Sequence, residues 1–135
     1  MRYKELAIKK PSEVLRKAKG LIDRPEKWFG PPGWRTLEQG AGNNCAGTAI
    51  YMEARGTSYP LCNWDTTEHR LFERANIIER DHIALWNNAP ERTHAEVMQA
   101  FDRAIALAEK EEGKESDSAW AKRKVAEVTR VKEAA

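Results

Sequence analysis

The chain has 135 residues, of which 41% are hydrophobic and 33% charged, and its net charge is +2. That length suits one domain with its own core, and the composition excludes a disordered chain. A membrane span needs about 20 apolar residues, far more than runs such as Ile83-Ala84-Leu85-Trp86 supply.

The opening Met1-Arg2-Tyr3-Lys4-Glu5 has no apolar stretch of the kind a secretion signal carries. A cytoplasmic protein is expected, with Cys45 and Cys62 as free, half-buried thiols and a bridge between them as the alternative. Charge is unevenly spread: residues 1–35 hold ten Lys/Arg against four Asp/Glu. Lys4, Lys9, Lys10, Arg16, Lys17 and Lys19 form either a basic patch or a solvated helix face with a loose terminus.

In chain order, residues 1–10 read as a basic N-terminal segment ahead of a helical domain over 11–110. Pro11-Ser12-Glu13 predicts the first helix, with Ser12 as its cap and Leu15, Ala18, Leu21 and Ile22 on one face. Asp23-Arg24-Pro25 ends it, because a residue before proline is pushed out of the α region. Residues 24–44 have no helical or strand period and carry Trp28-Phe29-Gly30-Pro31-Pro32-Gly33-Trp34, predicted as a long aromatic, Gly- and Pro-rich loop.

Asn43 or Asn44 is placed to cap a second helix from Cys45 to about Ala54, with Gly56 as a left-handed exit. Tyr59 to Trp64 connects it to a third helix, which Asp65 and Glu68 cap reciprocally and which starts at Thr66. A break near Asn76 or Asp81 precedes Ile83, Leu85 and Trp86, and Asn87-Asn88-Ala89-Pro90 closes that stretch. Thr93 and Glu96 then form a capping box ahead of Val97, Phe101, Ala104, Ile105 and Ala108, one continuous apolar stripe from Thr93 to about Glu109. Residues 111–135 are predicted as a charged C-terminal helix or tail, in which Asp117 caps a thin stripe of Trp120, Val125, Val128 and Val131.

Few residues point to chemistry. Cys45 at a helix N-terminus is the sharpest enzymatic candidate, since the helix dipole favours thiolate. His69 or His82 would serve as base, with Asp65 or Asp81 orienting it. The competing explanation is a compact core thiol, and no tight Cys/His signature is present. Cys45, Cys62, His69, His82 and His94 lack the short ligand spacings of a zinc site, and Gly40-Ala41-Gly42 lacks the rest of a nucleotide fingerprint. No metal ion and no cofactor is expected. The two helices around Pro90 invite comparison with a DNA-reading motif, but Glu91 to Glu112 holds six acidic residues against three basic ones and would repel phosphate.

Trp28, Phe29, Trp34 and Trp64, with Arg24, Lys27 and Arg35 beside them, make the candidate binding surface. They serve as an aromatic hot spot for a protein or a stacking pocket for a base, unless the rings plug the open end of the core.

The pattern Ile83-x-x-Trp86-Asn87-Asn88-x-Pro90-x-x-Thr93-x-x-Glu96-Val97, continued by Asp102-Arg103-Ala104-Ile105-x-Leu107-Ala108, resembles a family of small uncharacterised helical proteins of actinobacteria, their phages and plasmids. The Leu15–Ile22 helix and Cys45-x-Gly47-x-Ala49 share the likeness, which covers roughly residues 11–108. Family members more often carry Asp at the position of Asn88. The resemblance implies a phage or mobile-element setting and brings no activity with it. For the motif itself a structural role is expected: Trp86 caps the core, Asn87 and Asn88 form the turn, and Asp102-Arg103 pair with neighbouring helices or line a polar pocket beside Trp86.

These readings combine into a compact all-α bundle of four to five helices with the aromatic loop between the first two. The expected function is that of a non-enzymatic accessory protein, phage or mobile-element encoded, that binds a host or defence protein. A small-ligand or nucleotide-signal binder is the first alternative and a Cys45-dependent hydrolase the second. A protein partner or small ligand is expected; a membrane or a nucleic acid is not.

Overall fold

The computed structural model describes residues 9–31, 44–56 and 65–113, together with 122, 123, 125–127 and 129. These form an all-α bundle with no strand among the described residues. The helices are α1 (Pro11–Leu21), α2 (Ala46–Arg55), α3 (Thr67–Ala75), α4 (Ile83–Asn87) and α5 (His94–Glu112), with a 3-10 turn at Pro25–Lys27. Helix α1 packs on both α2 and α5, and α3 packs on α5 as well.

The long helix is built as its sequence specifies. Thr93 Oγ1 accepts from the Glu96 backbone N–H at 3.2 Å, and Glu96 Oε1 accepts from the Thr93 N–H at 3.0 Å. The Thr93 hydroxyl also donates to Glu96 Oε1 at 3.0 Å, and this bond first, then that of the Thr93 N–H, holds the Glu96 carboxyl below its usual pKa range. Val97, Ala100, Phe101, Ala104, Ile105 and Ala108 form its buried stripe. They close the core with Leu15, Ala18, Ile22, Ala49, Ile50, Leu71, Phe72 and Ile83, and Phe72 meets Phe101 edge-on at 4.9 Å between ring centres.

Three caps differ from expectation, each by one or two residues. Helix α1 starts at Pro11, whose fixed φ and missing N–H suit the first helical position, so Lys10 stands at the cap. Ser12 lies within the helix, buried, and its hydroxyl donates to Glu112 at 2.8 Å. Helix α2 is capped by Cys45 rather than by Asn43 or Asn44. Asn44 is held in a short parallel pairing with Trp28, donating to Lys27 O and accepting from Phe29 N–H, so helical turns begin only after it. Helix α3 is capped by Thr66, which accepts from the His69 N–H at 3.1 Å, and not by Asp65. The exit of α2 is as expected: Gly56 adopts φ +77° and donates to Met52 O.

The basic residues of α1 are answered by acidic partners. Lys19 Nζ lies 2.7 Å from Asp102 Oδ1, Arg16 pairs with Glu109, and Lys17 lies 3.7 Å from Glu13. The acidic side of α5 that argues against DNA is thus matched to the basic side of α1, as Asp102 and Glu109 show. None of the described helices is long and apolar enough to cross a membrane.

Candidate functional site

The predicted aromatic surface turns inward at its first residue. Trp28 is 6% exposed, and its indole N–H donates to Asn87 Oδ1 at 2.8 Å. Its ring folds back over Gly30, where a Cβ would lie 2.3 Å from the indole carbons, and stands 6.0 Å from the His94 ring. Gly30 is therefore required by close approach. Trp28 is a core plug and not an exposed anchor, a correction with a plain cause: its one polar atom finds its partner inside. Phe29 is half-buried, while Arg24 and Lys27 are exposed. Trp34, Arg35, Trp64, Cys62 and Gly40-Ala41-Gly42 lie outside the described residues.

Asn87 organises this corner. It is fully buried at the end of α4. Its Oδ1 accepts from Trp28 Nε1 and from the Ala46 N–H at 3.1 Å, which serves one of the orphan donors at the start of α2. Its Nδ2 donates to Phe29 O at 2.9 Å and to Asn88 Oδ1 at 3.0 Å. All four hydrogen-bonding positions of the amide are used. Asn87 does more than make a turn: it ties α2, α4 and the Trp28 segment together. Beside it Trp86 packs edge-on against Phe72 at 5.5 Å, with the Arg92 guanidinium 4.2 Å over its ring. Asp102 pairs with Lys19, and Arg103 donates to Asn76 at 2.8 Å, so this pair braces neighbours rather than lining a pocket beside Trp86.

The thiol-hydrolase geometry is not assembled by these contacts. Cys45 Sγ accepts from the Thr48 N–H at 3.4 Å and lies 3.2 Å from Thr48 Oγ1. The His69 ring is buried between α2 and α3: Nε2 lies 2.9 Å from Gly47 O and Nδ1 lies 2.6 Å from Thr66 Oγ1. A carbonyl only accepts, so Nε2 carries the proton and Nδ1 accepts from the Thr66 hydroxyl. Burial lowers the pKa of this ring to about 3 and keeps it neutral. His82 Nδ1 lies 3.3 Å from Glu79, and Asp81 accepts from Arg70 at 2.9 Å, which draws its carboxyl pKa down. Among the described residues no group of three or more His, Cys, Asp or Glu is arranged to hold a metal ion.

One surface feature is left unexplained by packing. The break after α3 contains two non-glycine residues with left-handed backbone, Ile77 at φ +54° and Asp81 at φ +67°. For a β-branched side chain this conformation is an outlier. Ile77 is also 96% exposed, so it gains no burial within the chain. The loop that presents it is tightly held. Buried Glu73 accepts from Arg70 Nη1 and from the Asp81 N–H, each at 2.7 Å, and its carbonyl accepts from the Ile78 N–H at 2.9 Å. Asn76 Nδ2 donates to Phe72 O and Ala100 O at 2.9 and 3.0 Å, fastening the loop to α5. On the helix that follows, Leu85 is 69% exposed. The sequence located the break but showed nothing of this display, because exposure of one isoleucine is not written in its neighbours.

A sequence profile described as a family of unknown function, DUF6197, matches residues 7–107. The chain belongs to that family. No curated protein and no solved structure matches the chain. The matched stretch contains Asn87 and its partners and the Ile77 loop, whereas Glu112 and Glu127 lie beyond it. The motif from Ile83 to Ala108, read as the mark of an uncharacterised helical family, falls within it save for its last residue.

Proposed function

We propose that this chain is a non-enzymatic accessory protein, encoded by a phage or mobile element, that acts by binding a host or defence protein through the Asn76–His82 loop. The observation that carries this reading is Ile77, a fully displayed β-branched residue in a left-handed backbone conformation. That conformation costs about 1–2 kcal/mol for an L-residue. Burying the side chain against a partner returns about 1.5–3 kcal/mol, enough to outweigh it. The bracing by Glu73 and Asn76 supports a pre-ordered contact that loses little entropy on binding.

This reading moves the contact surface away from Trp28, which is spent on the core, and leaves Arg24 and Lys27 as exposed charges elsewhere. The phage or mobile-element setting rests on the resemblance of the Ile83–Ala108 motif. The test places a photo-crosslinking residue at position 77, with an exposed position on α5 such as Gln99 as control. A host protein crosslinked from position 77 and lost on competition with unlabelled wild-type chain, but not with unlabelled Ile77→Asn, supports the reading. A partner that both competitors displace equally refutes it, and so does capture from the control position alone.

A further inference from the structure

Arg55, at the end of α2, faces the N-terminus of α3 and is nearly buried, its side chain 9% exposed. Three donors converge there on the carboxylate of Glu127, itself 10% exposed. Arg55 Nη2 and the Thr67 N–H donate to Oε1 at 2.9 and 3.3 Å, and the Thr67 hydroxyl donates to Oε2 at 3.0 Å. Thr67 is the first residue of α3, so its N–H is one of the donors a helix leaves without an internal partner and directs at anions.

Two observations separate this cluster from an ordinary ion pair. Arg55 Nη1 is buried and has no hydrogen-bond partner. Glu127 takes the guanidinium through Nη2, so the cluster holds a donor that its occupant leaves unused. Moreover, Arg55 and Thr67 lie within the family-matched residues 7–107, while Glu127 comes from beyond them. The receiving site belongs to the domain, and its occupant comes from outside the matched stretch.

We propose that Arg55 and the first turn of α3 form a binding site for a phosphate or phosphomonoester group, in which Glu127 sits as an internal stand-in. Two phosphate oxygens take the places of Oε1 and Oε2, and a third meets Arg55 Nη1. Guanidinium with backbone N–H at a helix start is a pairing suited to such oxyanions. Because Glu127 is tethered, it competes at high effective concentration, and an external anion enters only once this segment lets go.

The experiment titrates inorganic phosphate, phosphoserine and acetate into the full chain, its Glu127→Ala variant and the Glu127→Ala/Arg55→Gln double variant. The readouts are calorimetry and the amide resonance of Thr67. Saturable phosphate binding in Glu127→Ala, at least about tenfold tighter than in the wild type and lost with Arg55→Gln, is the expected result. Relative affinity for phosphate and phosphoserine shows whether the free ion or the monoester is preferred. Glu127→Gln, which keeps the side-chain volume and gives up the charge, replaces Glu127→Ala if helicity falls. Absence of saturable phosphate binding in a folded variant overturns the proposal. Acetate binding as tightly as phosphate, or equal phosphate binding in the wild type, does so too.

Discussion

Replacing Asn87 by alanine removes a side chain that joins the Trp28 segment to α2 and α4. Three groups lose this partner at once: the buried Trp28 indole N–H, the buried Ala46 N–H and the part-buried Phe29 carbonyl. A buried polar group left unpaired costs about 1–3 kcal/mol. Water entering the space vacated by the amide satisfies one or two of the three, which brings the expected loss to about 3–5 kcal/mol. Total stabilities of such domains are about 5–15 kcal/mol, so the variant is folded but close to its limit. Urea denaturation followed by far-ultraviolet circular dichroism measures the change. Asn88→Ala, which removes an exposed side chain bonded to Asn87 Nδ2, serves as the control and costs less than about 1 kcal/mol. Trp28→Phe removes the donor from the other side, and its effect combines less than additively with Asn87→Ala because the two share a bond. A loss below about 1 kcal/mol for Asn87→Ala, or strict additivity with Trp28→Phe, refutes the reasoning.

Other consequences are equally direct. The His69 ring titrates at about 3 in the fold against 6.5 for the free side chain, so protonation favours the unfolded state. Its contribution is complete above pH 6.5 and is lost as pH falls toward 3, at a rate approaching roughly 1 kcal/mol per pH unit. Urea midpoints at pH 7, 6 and 5 show a shallower decline in His69→Gln, and equal slopes count against neutral burial. Ile77→Asn relieves the left-handed backbone at a site with no burial to lose, because asparagine tolerates that region. It raises stability by up to about 1 kcal/mol in thermal melts, and a clear drop in melting temperature refutes the account of that loop. Thr93→Ala removes the hydroxyl half of the capping box and costs about 1 kcal/mol. In the same variant the Glu96 carboxyl titrates nearer its ordinary range by NMR, since the Thr93 hydroxyl is the first cause of its lowered pKa.

The residues that were legible in advance are those whose reasons lie within a turn or two of chain. Thr93 and Glu96 specify the start of α5 by bonds across three positions, and the stripe from Val97 to Ala108 follows from helical spacing alone. Gly56 announced its left-handed exit, and the break around Asn76 to Asp81 was visible as a lapse in the apolar period. Competing local options set the misplaced caps. Ser12 and Asp65 are good cap residues by type, but Pro11 at the first helical position moves the α1 cap two residues back to Lys10, and Thr66 caps α3 one residue after Asp65.

What the tertiary structure alone decided concerns polar groups that meet across long stretches of chain. Asn87 binds Trp28, Phe29 and Ala46 at separations of 59, 58 and 41 residues, and no periodicity encodes such meetings. The same holds for the part-buried bond of Ser12 to Glu112, the matching of basic α1 to acidic α5, and the seat of Glu127 on Arg55 and Thr67. Hydrophobic spacing tells a helix which face to bury, but not which partner it will face. Sequence by itself therefore determined an all-α chain and the start of its longest helix. Packing determined that Trp28 is core, that Ile77 is displayed, and where Asn87, Ser12 and Glu127 find their partners, because those outcomes depend on which helix lies opposite.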